Sequence, residues 1–245
     1  MKIEAIKAGV AKSLEIASTD ALVGDNPIFA QAWSTANLVP GSFSRLNAAA
    51  MFVLLEEIRP RRIVEIGSYL GKSTTFFALV ARALRPEGVE VVAIDPHTGD
   101  RQQMEGLGVQ KLPSFDLFES HISAAGVADI VRPIVKRSSE AEVDWAGEID
   151  FLYIDGWHSY DAAIDDGQAW IPHLTPSGAV FFDDYTRYAE VYEAVRALDA
   201  RGTFKFWTDS FGQALGGTGE PSPGAQKVAS VANRRAVRRL HRLRG

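Results

Sequence analysis

The chain has no cysteine, which excludes disulfides, thiolate metal centres and a cysteine nucleophile. Long apolar runs are missing too. The longest, residues 48–55, falls far short of the roughly 20 residues a bilayer-crossing helix needs. The first twenty residues carry Glu4 and Glu15 among spaced apolar positions, so they do not read as a secretory leader. Acids are absent after Glu220, while seven of the 26 basic residues lie there: Lys227, Arg234, Arg235, Arg238, Arg239, Arg242 and Arg244. With 31 acids in all, the body carries a net charge of −12 and the tail +7. An acidic body argues against nucleic acid as the partner. What remains is 245 residues, 46% apolar and 23% charged, which suits a cytoplasmic enzyme-sized domain with a sizeable core.

Ile3, Ile6, Val10 and Leu14 recur at helical spacing, and a second helix is expected over 45–58, capped by Ser44 and ended by Pro60. From there short β-branched runs alternate with helical patterns. Strands are expected over 62–66, 89–94, 130–135, 149–154 and 178–182. Helices are expected over 72–84, 114–125, 160–171 and 188–198, and a hairpin over 204–208 with a partner after Gly212. This order implies a doubly wound, mostly parallel sheet with helices on both faces. Residues 1–60 form a helical extension, 61–216 the sheet domain, and 217–245 a linker with a basic helix. The stretch GGTGEPSPG (216–224) reads as flexible.

The sequence GSYLGKST (67–74) follows the first strand and opens a helix. A triphosphate loop requires four residues between its glycines, whereas only Ser68, Tyr69 and Leu70 separate Gly67 from Gly71. Nor is it a dinucleotide fingerprint, because Tyr69 stands in place of the second glycine. Glu65 at the strand end would repel phosphate and attract an ammonium or sulfonium. The next strand ends in Asp95, placed to accept hydrogen bonds from a ribose. A cationic amino-acid group and an adenosine ribose together describe S-adenosylmethionine. The alternative is that both acids are solvated strand ends and the glycines an ordinary turn.

With these residues the chain resembles the class I S-adenosylmethionine-dependent methyltransferases. VEIGSYLGKST matches their first motif and VVAIDP their second, and the resemblance covers residues 63–216. It implies a Rossmann-like seven-stranded sheet with an antiparallel last strand. It also implies that Glu65, Gly67, Ser68, Gly71 and Ser73 line the methionine side, Asp95 the ribose, and Ser138 and Ser139 the adenine.

A second group of residues is IDGWHSY (154–160) with FFDDY (181–185). Asp155 ends the fourth strand, and Asp183 and Asp184 end the fifth. Three carboxylates at neighbouring tips repel one another unless a proton or cation intervenes. An all-oxygen set favours Mg²⁺, then Mn²⁺ or Ca²⁺. Methyl transfer to a hydroxyl gives such an ion a purpose, and His158 or Asp155 is the candidate base. The competing readings are a Mg²⁺-dependent triphosphatase and a cofactor-binding protein without turnover. Asp165 and Asp166 read as a solvated helix face, and Trp157 as the one tryptophan placed to face an acceptor. IDGxHxY followed by a DD pair is similar to the metal-dependent O-methyltransferases that act on sugar hydroxyls, the macrocin O-methyltransferase-like enzymes and their cephalosporin-tailoring relatives. That resemblance implies a small-molecule or oligosaccharide acceptor, with catechol-type diols as the alternative. It also implies a lid and a homodimer contact from the N-terminal extension. For the basic tail, an anionic lipid surface, an acidic patch on a neighbouring subunit and a solvated end remain open.

Overall fold

The computed structural model describes residues 2–85, 87–98 and 114–244, with side chains described between residues 11 and 235. The looser stretch between the second strand and the helix at Ser114, and the side chains of the outer tail, lie outside those residues.

Three helices come first: α1 (Lys2–Val23), α2 (Pro27–Ala36) and α3 (Arg45–Ile58). Helix α2 carries a signal the spacing argument passes over. The side chain of Asn26 accepts from the amides of Ile28 and Phe29, and Pro27 takes the first helical position. Ser44 caps α3 as expected, accepting from Asn47 N at 3.1 Å. There follow β1 (Arg62–Ile66), α4 (Lys72–Leu84), β2 (Glu90–Ile94), α5 (Ser114–Ala124), β3 (Val131–Ile134) and a five-residue α6 (Ser138–Glu142). The remainder runs β4 (Ile149–Ile154), α7 (Tyr160–Trp170), β5 (Leu174–Phe182), α8 (Ala189–Ala200), β6 (Lys205–Ser210), β7 (Gln213–Gly217) and α9 (Pro223–Arg244).

The sheet has seven strands in the order β3-β2-β1-β4-β5-β7-β6. All neighbours are parallel except β7, which runs antiparallel to both β5 and β6. Strand β5 starts earlier than its apolar run suggests, because Leu174 pairs with Ile149 before the register shifts. Alternation along the strands divides the core in two. Ile63, Phe151, Tyr153 and Phe181 pack with α2, α3, α4 and α9, while Val64, Ile66, Leu152 and Phe182 pack with α7 and α8. The extension therefore shares a core with the sheet. Its Phe43 meets the rings of Phe76, Phe77 and Tyr153 at 5.7, 5.9 and 6.2 Å.

The segment expected to be flexible is held in place. Its glycines 216 and 217 lie in β7, and its end lies in α9. Ser222 Oγ and Gly224 N both donate to Glu57, at 2.7 and 2.9 Å, and Trp207 Nε1 donates to Gly219 O at 3.1 Å. Composition suggested a linker; hydrogen-bond partners on α3 and β6 override it. Among the described residues no helix is long and apolar enough to cross a membrane.

Candidate active site

Backbone pairing continues one residue beyond each parallel strand. Asp95 N donates to Ile134 O, Gly67 N to Ile94 O, Asp155 N to Ile66 O and Asp183 N to Ile154 O, at 2.8 to 3.2 Å. Asp95, Gly67, Asp155 and Asp183 thus stand side by side along the carboxyl edge. They flank the β1–β4 boundary where the winding reverses, the place where open α/β sheets bind ligands.

The glycines of the loop are there for space. Gly67 has φ +88°, and a Cβ on it would sit 2.0 Å from the carbonyl oxygen of Asp155. Gly71 has φ +86° and abuts Phe118. The loop is tied to Asp95, whose two carboxylate oxygens accept from Tyr69 N (2.9 Å) and His97 N (2.7 Å). A bonding vacancy exists at Ser68, whose hydroxyl is buried without a hydrogen-bond partner among the described residues.

Two loop side chains lie elsewhere than a phosphate or ammonium site would put them. Lys72 Nζ donates to Gly41 O at 3.1 Å and lies 5.6 Å from the ring centre of Trp33, fastening the 40–42 turn to α4. Glu65 is 0% exposed. It shares its strand face with Ile63, under α4, and accepts from the hydroxyls of Ser73 and Thr74 in that helix's first turn. Burial pushes its pKa up to about 7, against the pull of the two hydroxyls and with a smaller push from Asp95.

The acids form two groups. One draws together Asp155, His158 and Asp184, which can each present one ligand atom with all of them within 4.8 Å of one another. His158 Nε2 lies 3.1 Å from Asp184 Oδ2 and 3.9 Å from Asp155 Oδ1, close as ion pairs but without the alignment of a hydrogen bond. Its ring stacks on Tyr188 at 4.4 Å and 12°. Asp184 takes the left-handed conformation, φ 54°, which Asp tolerates better than most residues and which turns it away from the strand's alternation. Asp183 forms the second group: it accepts from Tyr153 Oη on one oxygen (2.8 Å) and from Gln213 Nε2 on the other (2.9 Å). The spacing of the sequence does not separate the three aspartates; the structure does.

These contacts set the charges. The pKa of Asp155 is driven well above the carboxylate range by burial and by Asp183 beside it. Asp155 and Asp184 together raise His158 to about 9, against its partial burial. At neutral pH the imidazolium therefore places a positive charge beside Asp184, while the Asp155 carboxyl holds its proton more tightly than a free one. Tyr153 is held protonated by burial and by the neighbouring acids, so it donates.

At the far end of the edge, Ser139 is exposed and Ser138 donates to Asp166. The sequence reading of Asp166 as solvated does not hold: it is 7% exposed, and burial raises its pKa to about 6. One helical position earlier, Asp165 is exposed. The Ser138 hydroxyl at the start of α6 gives Asp166 its partner, and pattern alone cannot supply a partner 28 residues away. Trp157 is 60% exposed and lines one cleft with Asp155, His158 and Asp183.

Residues 64–185, about half of the chain and containing every tip residue above, match the model of a methyltransferase-domain family. That stretch is a methyltransferase domain. A protein of Sinorhizobium fredii called uncharacterized protein y4gI is 30% identical over 157 residues, 64% of this chain and 16% of that protein. The chain thus spans about a sixth of that relative's length. Among solved structures, cofactor-bound Rv0187 from MTB has 22% identity and a TM-score of 0.54, covering 81% of this chain and 93% of that one. The O-methyltransferase NovP has 18% identity and a TM-score of 0.57 over 69% and 80%. An O-methyltransferase from Bacillus cereus in complex with SAH has 17% and 0.52 over 77% and 84%. At such identities the likeness establishes the fold.

Proposed function

We propose that the protein transfers the methyl group of S-adenosylmethionine to a hydroxyl of a sugar or glycoside, with a divalent ion, Mg²⁺ first, held by the strand-tip acids. The observation that carries this reading is the meeting of Asp155, His158 and Asp184 beside the glycine loop of a methyltransferase fold. Oxygen-rich ligands at neighbouring tips fit a hard ion, and the unpartnered Ser68 hydroxyl fits a polar ligand lying on the loop. Donor O-methyltransferases among the structural neighbours, NovP and the Bacillus cereus enzyme, support hydroxyl chemistry.

Each residue has a part in this proposal. Gly67, Ser68 and Gly71 shape the loop on the methionine side, and Glu65 with Ser73 fixes the loop to α4. Asp95 takes the ribose, and Ser139 stands at the adenine end. Asp155, Asp183 and Asp184 hold the ion. A bound ion would lower the pKa of an acceptor hydroxyl and fix its direction. The acids would then no longer need the proton on His158, which becomes free to act as the base, with Asp155 as the other candidate. Trp157 offers an apolar face to the acceptor. The extension serves as lid and homodimer contact.

Labelled-cofactor transfer to a panel of glycosides, with and without EDTA, tests the reading. Turnover should vanish in EDTA and return with Mg²⁺, while S-adenosylhomocysteine still binds. Full turnover in EDTA removes the ion from the mechanism. A second reading follows from the same geometry: His158 is itself a ligand. A nitrogen donor shifts preference from Mg²⁺ towards Mn²⁺ and later transition ions, so the order of metal activation separates the two. Equal competition between glycosides and catechols decides the acceptor.

A further inference from the structure

We propose that Tyr153 and Gln213 are positioning residues for the metal site, clamping Asp183 from both sides so that its carboxylate meets the ion in one fixed orientation. This rests on the metal-dependent reading above. Asp183 differs from its neighbours in its partners. Its Oδ2 accepts from Tyr153 Oη at 2.8 Å and its Oδ1 from Gln213 Nε2 at 2.9 Å, while Asp155 and Asp184 face His158. Both donors are neutral and fully buried, Tyr153 in β4 and Gln213 at the start of the antiparallel β7. Alternation places Tyr153 two residues before Asp155 on the same strand face, and Tyr153 pairs with Phe181, two residues before Asp183. The phenol accordingly reaches the next rung of the ladder, where it also stands 3.4 Å from Asp155 Oδ2.

Each carboxylate oxygen keeps a lone pair after these bonds, so Asp183 can bind an ion while held. A ligand restrained from both sides neither rotates nor swings towards Asp155. Outer partners of this kind typically govern metal affinity by about 10- to 100-fold. The arrangement also gives the β6–β7 hairpin a task in the site: its first β7 residue supplies one jaw of the clamp.

Tyr153→Phe is the clean probe, since the ring contacts with Phe77 (5.4 Å) and Phe43 (6.2 Å) survive the loss of the hydroxyl. Gln213→Met, similar in volume, probes the other jaw should the first variant fold poorly. Mn²⁺ binding is measured by electron paramagnetic resonance on the full chain with S-adenosylhomocysteine bound, alongside melting temperature and affinity for that product. Each variant should bind Mn²⁺ about 10-fold or more weakly than wild type, with product affinity unchanged, as expected for outer partners. Wild-type binding matched by both variants overturns the clamp while leaving the metal reading intact. A wild-type protein that takes up no Mn²⁺ overturns the metal reading itself.

Discussion

Gly67→Ala tests whether the junction between the glycine loop and the fourth strand is as close as the structure shows. Gly67 sits at φ +88°, and an added Cβ would lie 2.0 Å from Asp155 O, 2.5 Å from Asp155 C and 3.0 Å from Gly156 N. Every one of these obstacles is backbone, so no side chain can rotate to make room. Two costs add. Left-handed backbone at an alanine costs about 1–2 kcal/mol, and forcing a methyl into packed surroundings costs about 1–3 kcal/mol more. The structure supplies its own control in Gly126, which has φ +70° and nothing within 4 Å of its Cβ position. Gly126→Ala should carry the backbone cost alone. In urea unfolding the two variants should therefore differ by about 1–3 kcal/mol, the overpacking part. Calorimetric titration with S-adenosylhomocysteine should show affinity lost only at Gly67, because relieving the clash moves the tip that carries Asp155. Equal destabilisation by the two alanines, or wild-type product affinity in Gly67→Ala, would refute the reasoning.

Two further outcomes are expected. The cofactor-free protein should lose stability as pH rises, because Glu65 and Asp166 hold their protons more tightly folded than unfolded. Their contribution is complete below the unfolded values near 4 and is lost as pH passes about 6 for Asp166 and about 7 for Glu65. Each shift corresponds to about 3 kcal/mol across that window. Melting curves from pH 4 to 8 check this, and Glu65→Gln should flatten the slope; an unaltered slope in that variant removes Glu65 as its source. Trp157→Ala should raise KM for the acceptor roughly 10-fold, the worth of about 1.4 kcal/mol of aromatic contact, with melting temperature unmoved because the ring is exposed. An unchanged KM would place the acceptor elsewhere.

The sequence reveals this site unevenly, for physical reasons. Strand ends are legible because β1, β2, β4 and β5 are short apolar runs closed by an acid or a glycine, and a parallel sheet lines such ends along one edge. The hairpin is legible from Gly212. Less legible are features whose partners lie far along the chain. Buried Asp166 finds its partner in Ser138 at the start of α6, and Gly224 is fixed by Glu57 on α3. Glu65 lies between these cases. Its place in the motif suggests a residue open to the cofactor, yet the same period of two that puts Ile63 in the core puts Glu65 under α4, where Ser73 and Thr74 meet it. The local rule carried one residue further thus predicts its burial.

That rule also explains why three aspartates at two neighbouring strand tips part company. Asp155 and Asp183 continue the face of Tyr153 and Phe181, which brings them next to each other and to the phenol. Asp184 should point to the opposite face. It reaches His158 because its backbone turns left-handed immediately after the strand, at φ 54°. A motif written DD is therefore two residues with different geometry: one held by the sheet, the other brought round by a turn. Repulsion among the three is met from two sides, by neutral donors at Asp183 and by the imidazolium at Asp155 and Asp184. The cation proposed for this cluster would meet acids already arranged, with a protonated histidine as the group to displace or join.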